Sequence, residues 1–188
     1  TGPATLAVYS SPDDLDDPRA EPVSTSALDG FHMMWVADPL GQRNPNPSFG
    51  ARLTATVVPD RSGEWHVGVE SVAPARVLVD GKQLLDNTDV PVGGSFFGTG
   101  RGEIKAAVEL AAGEPAELVV EIRHRPIGMG MGGFNLGLLG PLDDDPIGLA
   151  EEAAAGADAT IVIVGTNDDW ECEGWDRTTL ALPGTQDE

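Results

Sequence analysis

The chain has 188 residues and carries 31 acidic against 11 basic side chains, a net charge of −20. Such an excess of carboxylate repels phosphate backbones and anionic lipid surfaces, which sets aside nucleic-acid and membrane-surface binding. A hydrophobic fraction of 40% is enough for a packed core, no apolar run approaches the length of a transmembrane helix, and the single cysteine, Cys172, excludes an internal disulfide or a cysteine-built zinc site.

Residues 1–142 are dominated by period-two alternation, broken by three long irregular loops at 10–22, 37–49 and 87–102. In the first loop, Asp13-Asp14 and Asp16-Asp17 form an acidic cluster without calcium-loop spacing, and it is read as solvated loop acids. Leu53, Ala55 and Val57 then alternate with Thr54, Thr56 and Val58, and Trp65, Val67 and Val69 with His66 and Gly68. Between them Pro59-Asp60-Arg61-Ser62-Gly63 is a turn. Asp80-Gly81, between residues 76–79 and 82–86, suits a type I′ hairpin because both residues tolerate positive φ. Ile104–Leu110, Leu118–Ile122 and Phe134–Leu138 continue the alternation. One buried and one wet face per strand predicts an antiparallel β-sandwich.

Gly128-Met-Gly130-Met-Gly-Gly133 matches a dinucleotide-loop pattern, but residues 134–139, PheAsnLeuGlyLeuLeu, alternate like a strand where that loop requires a helix. It is read as an interstrand loop. His32, His66 and His124 lie far apart with no metal-ligand spacing, so neither metal nor cofactor is expected.

After residue 142 the pattern changes. Asp145 caps a helix that Pro146 begins and Gly156 ends. Residues 158–165, AspAlaThrIleValIleValGly, form a continuous branched run that reads as a strand buried on both faces in an α/β sheet. The expected domains are therefore 1–142, a β-sandwich, and 143–188, a fragment of an α/β domain. Residue 1 is Thr, and the chain stops just after a strand-like run and a motif-rich loop. It reads as an excerpt of a longer polypeptide, whose compartment stays open, although a lone thiol is compatible with a reducing, cytoplasmic interior.

The loop after that strand carries Asp168, Asp169, Glu171, Glu173 and Asp176 together with Trp170, Trp175 and Arg177. Ligands of parallel sheets bind at the carboxyl ends of strands, where this loop lies. Indole rings stack on the apolar faces of sugars, and a desolvated carboxyl group beside them is raised toward general-acid use. The chemistry alone leaves a second reading open, a solvated acidic loop with tryptophans as anchors.

The run from Asp158 to Glu188 resembles the second-domain region of β-glucosidases of glycoside hydrolase family 3, where a buried strand precedes V-G-x-N-x-x-W-E-S-E-G-x-D-R and L-x-L-P-G-x-Q-x-E. Residues 6–140 resemble the protective-antigen-type β-sandwich inserted into that domain in one branch of the family. Residues 75–87, the GlySerPhePheGly loop (94–98) and residues 109–121 carry that likeness. The resemblance implies a retaining mechanism on terminal β-D-glucosyl residues. Its Asp nucleophile would come from an N-terminal barrel that this chain lacks, so the excerpt alone is expected to be inactive. The motif Glu-Gly-x-Asp-Arg maps the acid/base onto Glu173, with Glu171 as the fallback. Cys172 stands where Ser is usual. The implied partners are a β-glucoside substrate and the rest of the same polypeptide, namely the barrel and the remainder of the α/β domain. Trp170, Trp175 and Arg177 are candidate substrate contacts. Phe96 and Phe97 would shape the aglycone side, unless they anchor their loop to the sandwich core. The rival function is a non-catalytic carbohydrate-binding or adhesive module.

Overall fold

A computed structural model describes residues 4–35, 48–96, 98–125, 131–143, 145–166, 170, 177–184 and 186. They fall into two compact units, Thr1–Pro141 and Leu142–Glu188. In the first unit the strands are β1 (Ala4–Tyr9), β2 (Ser24–Leu28), β3 (His32–Trp35), β4 (Phe49–Val57), β5 (Gly63–Ser71), β6 (Ala75–Val79), β7 (Lys82–Asp86), β8 (Val92–Ser95), β9 (Gly100–Leu110), β10 (Ala116–His124) and β11 (Gly132–Leu139). They build a six-stranded sheet, β2-β1-β4-β10-β6-β7, and a five-stranded sheet, β3-β11-β5-β9-β8. Every pairing is antiparallel.

The two sheets bury the faces that the alternation marks. Leu53, Val67, Val69, Val77, Val120, Ile122 and Phe134 are 0–1% exposed. Each such side chain contributes about 1.5–3 kcal/mol relative to leaving it in water. The Asp80-Gly81 hairpin has φ of 49° and 73°, as a type I′ turn requires. Two of the expected irregular loops are partly ordered, and residues 37–47 of the third lie outside the described residues. The 10–22 segment holds a 3-10 helix, Pro12–Asp16, and 87–102 contains β8 and the start of β9. The 3-10 helix begins with a reciprocal cap between Ser11 and Asp14, and it buries Leu15.

Asn87 holds the entry to the β8–β9 region. Fully buried, it accepts from Ala75 N at 2.7 Å and donates to Ser71 Oγ at 2.8 Å, and Ser71 Oγ donates to Ala73 O at 2.6 Å. Near the same end of β10, His124 is 1% exposed, and its ring lies 4.7 Å from Phe49 and 5.4 Å from Trp35, centroid to centroid. Burial holds the imidazole below its ordinary pKa. An unfolded histidine takes a proton near pH 6.5 and the folded one resists it, so stability is complete above that pH and falls as the pH drops toward the folded value. Thermal melts at about pH 7.5 and pH 5.5 should show this loss, and His124→Phe should flatten it. An unchanged slope in the variant would move the effect to another group.

In the second unit, Asp145 Oδ1 accepts from Gly148 N at 2.8 Å and caps α1 (Pro146–Ala155). Gly156 ends the helix, and none of its residues is buried. One expectation is corrected here. Residues 160–166 form no strand, and Ile161, Val162 and Ile163 are 88%, 77% and 91% exposed. A strand is held by its ladder partners, and none stands beside this run among the described residues of the unit.

Candidate functional site

The outer face of the six-stranded sheet is sealed by charge. Glu121 stands opposite both Arg52 on β4 and Arg76 on β6. Its Oε1 accepts from Arg52 Nε and Nη2 at 3.1 and 2.7 Å, and its Oε2 from Arg76 Nη2 at 2.7 Å. Asp16 of the 3-10 helix accepts from Arg76 at 3.1 Å and Arg123 at 2.7 Å, and Arg52 also reaches Leu15 O and Tyr9 Oη. Burial pulls Arg52 and Arg76 down, and Glu121 more than offsets it, so both lie above the usual guanidinium value. The hydrogen bond from Arg123 holds Asp16 below the usual carboxylate range. The acidic cluster is therefore spent on locking the 3-10 helix to the sheet. Asp14 serves the cap and Asp17 holds Arg19. Among the described residues, no three His, Cys, Asp or Glu side chains gather to hold a metal.

The sequence places candidate ligand contacts in two regions, one in each unit. In the sandwich, Phe96 lies in the β8–β9 turn with φ of 50°, a left-handed conformation that is strained for a side chain of this size. Thr99 N and Oγ1 donate to its carbonyl at 3.1 and 2.6 Å. Its half-buried ring rests on Gly133 of β11, where a Cβ would stand 2.7 Å from Phe96 Cε1 and 2.9 Å from Met33 O. Gly133 is thus the seat of this ring. Gly133→Ala should cost about 1–3 kcal/mol by overpacking. Adding Phe96→Ala should recover only part of it, because the Met33 carbonyl remains. Urea unfolding of both variants measures the coupling, and simple additivity would refute the seat. Phe97 lies outside the described residues.

In the second unit, Gln186 bridges two stretches of the loop. Its Oε1 accepts from Gly165 N at 3.0 Å and its Nε2 donates to Pro183 O at 3.1 Å. Arg177 Nη1 donates to Ala181 O at 3.4 Å, and Thr179 Oγ1 accepts from Ala181 N at 3.2 Å. Trp170 is 47% exposed. Glu171, Glu173 and Trp175 lie outside the described residues. Gln186 thus ties Gly165, at the end of the apolar run, to Pro183.

A further grouping escaped the sequence reading. His32, Asn135 and Glu70 stand side by side on β3, β11 and β5, linked from His32 Nδ1 to Asn135 Oδ1 and from Asn135 Nδ2 to Glu70 Oε1. Only the strand register brings them together. No spacing in the sequence announces it.

The PA14 domain model matches residues 6–129. A β-glucosidase of Rhizobium radiobacter is 33% identical over 174 residues, covering 90% of this chain and 21% of its own length. Probable β-glucosidase J of Aspergillus fumigatus is 31% identical over 200 residues, covering 98% of this chain and 23% of its own. The crystal structure of a β-glucosidase from Kluyveromyces marxianus in complex with glucose superposes with a TM-score of 0.79 at 27% identity, covering 96% of this chain and 22% of that one. The chain spans about a fifth of the length of the curated relatives it matches. The matched segment takes in β2 to β10 and most of β1, with β11 just beyond it, and the chain belongs to the PA14 domain family, in the form carried by β-glucosidases.

Proposed function

We propose that this chain is the part of a retaining β-glucosidase that carries the acid/base carboxyl group on Glu173, with the sandwich walling the aglycone side of the pocket. The observation that carries the reading is continuity. A relative named as a β-glucosidase aligns across 98% of the chain, so the likeness runs beyond the sandwich into residues 143–188. The row Ile161, Val162 and Ile163 supports it too, since so exposed a branched run is stable only between neighbouring strands, which a longer polypeptide would supply.

In this reading Glu173 protonates the departing glycosidic oxygen, and then takes a proton from the water that releases glucose from an Asp nucleophile on the barrel. Trp170, Trp175 and Arg177 flank the sugar, and Phe96 and Phe97 face the aglycone. The 188-residue chain alone is inactive, because it lacks that nucleophile. The test is Glu173→Gln in the full-length polypeptide, with Glu171→Gln beside it.

A further inference from the structure

β2 and β3 follow one another in the chain but are edge strands of opposite sheets. The inward positions of β2 are set by its partner strand, since residues paired across a ladder share a face. Ser24 stands opposite Val8 and Ser26 opposite Leu6, and these two partners are core residues, 5% and 7% exposed. Two serines therefore occupy inward positions, where the interior of a sandwich is built from apolar side chains. Neither hydroxyl has a hydrogen-bond partner among the described residues.

Beside them lies a cavity of about 200 Å³. Its mouth is between the two edge strands, at Ser24, Ser26 and Met33, the lining residues that reach solvent. Behind the mouth the walls are apolar. Ile122 and Phe134 are 0–1% exposed, and the rings of Trp35 and Phe49 stand 5.6 Å apart, centroid to centroid. No charged side chain lines the cavity among the described residues. An apolar cavity of about 150 Å³ stays dry and admits benzene, so this one has room for a benzene ring and a short substituent. Three aromatic rings in the wall favour an aromatic guest, which they can meet edge to face. A charged guest would lose its hydration with no counter-charge to replace it. The serines supply the polar contact: a hydroxyl group directed at the mouth can donate to one of them and accept from the other.

We infer that the gap between β2 and β3 is a binding site for a small neutral aromatic alcohol, its ring packed against Ile122 and Phe134 and its hydroxyl hydrogen-bonded to Ser24 and Ser26. The site lies within the first unit and shares no residue with the acid/base loop or the β8–β9 turn, so it stands apart from the function proposed above.

The test is an NMR titration of the 188-residue chain, its amide resonances dispersed as a folded sandwich requires, with benzyl alcohol, toluene and benzoate. The reporter is the indole N–H of Trp35, which is buried in the wall without an acceptor among the described residues and is assigned with Trp35→Phe. Benzyl alcohol should shift it saturably, and benzoate should not. Ser24→Ile closes the mouth with a branched side chain that suits a strand, so the urea midpoint should be kept or raised. Binding of benzyl alcohol to this variant should weaken at least about tenfold, because the added side chain takes up the guest's space. Replacing Ser24 and Ser26 together by alanine keeps the cavity and removes the hydroxyls. Benzyl alcohol should then bind roughly three- to tenfold more weakly, while toluene binds as before. No saturable shift in the parent chain, benzoate binding as well as benzyl alcohol, or parent-like affinity for benzyl alcohol in either folded variant would overturn the site. The two readings fail separately. An active Glu173→Gln enzyme would remove the acid/base assignment and leave this titration intact, whereas a silent titration would leave the acid/base assignment standing.

Discussion

In the full-length polypeptide, Glu173→Gln is expected to slow hydrolysis of a disaccharide by about 10²–10⁴-fold, the usual worth of a positioned general acid. Glutamine keeps the size and hydrogen-bonding reach of the side chain and removes only the transferable proton. The loss should therefore follow the leaving group. A sugar or alkyl alkoxide cannot depart without protonation, but a nitrophenolate can, so glycosylation by an activated aryl glucoside should suffer far less. Deglycosylation then becomes slow, because no base activates water. Azide needs no deprotonation and should partly restore turnover, with a glycosyl azide as product. Glu171→Gln should leave both substrates within a few-fold of the parent. The reverse pattern, with Glu171→Gln sensitive to the leaving group and Glu173→Gln indifferent, would transfer the role two residues along the loop. Activity unaffected in both variants would remove the proposal.

The sandwich was legible because its strands bury one face each. Leu118, Val120 and Ile122 of β10 are 1–3% exposed, and their spacing alone marks that face. The hairpin at Asp80-Gly81 was legible for a local reason, since few residue pairs accept two successive positive φ angles. Short edge strands gave no such signal. Ser24–Leu28 has mostly exposed side chains, and its place in the sheet comes from pairing with β1. The run at 158–165 shows the opposite limit. Its branched residues state a preference for extended backbone, but a preference becomes a strand only where another chain segment completes its hydrogen bonds. For the site, the acid/base candidates were legible only as a resemblance. The Phe96 seat on Gly133 and the His32–Asn135–Glu70 row depend on register between distant strands, which no local pattern encodes.

The largest stability effect is expected at Glu121. Its side chain is 7% exposed and holds Arg52 and Arg76 on its two oxygens. Glu121→Ala leaves two guanidinium groups facing one another across β10 with the shared carboxylate gone. Breaking a buried pair from one side costs about 3–5 kcal/mol, and the lower end applies because Arg52 and Arg76 are themselves 33% and 31% exposed. Glu121→Gln should cost less, since it keeps the shape and an acceptor oxygen while losing the charge. Replacing Arg52, Glu121 and Arg76 together by leucine should return most of the loss, because no unpaired charge is then left buried. The effect should also travel outward. Arg76 and Arg123 share Asp16, so freeing Arg76 loosens one of the two cations on that carboxylate. Limited proteolysis should then cut the 10–22 segment faster in Glu121→Ala than in the parent, while urea unfolding reports the global loss. Parent-like unfolding midpoints and cleavage rates would mean that hydrophobic packing of Leu15 on Gly50 holds the helix, and that the charges on this face contribute nothing.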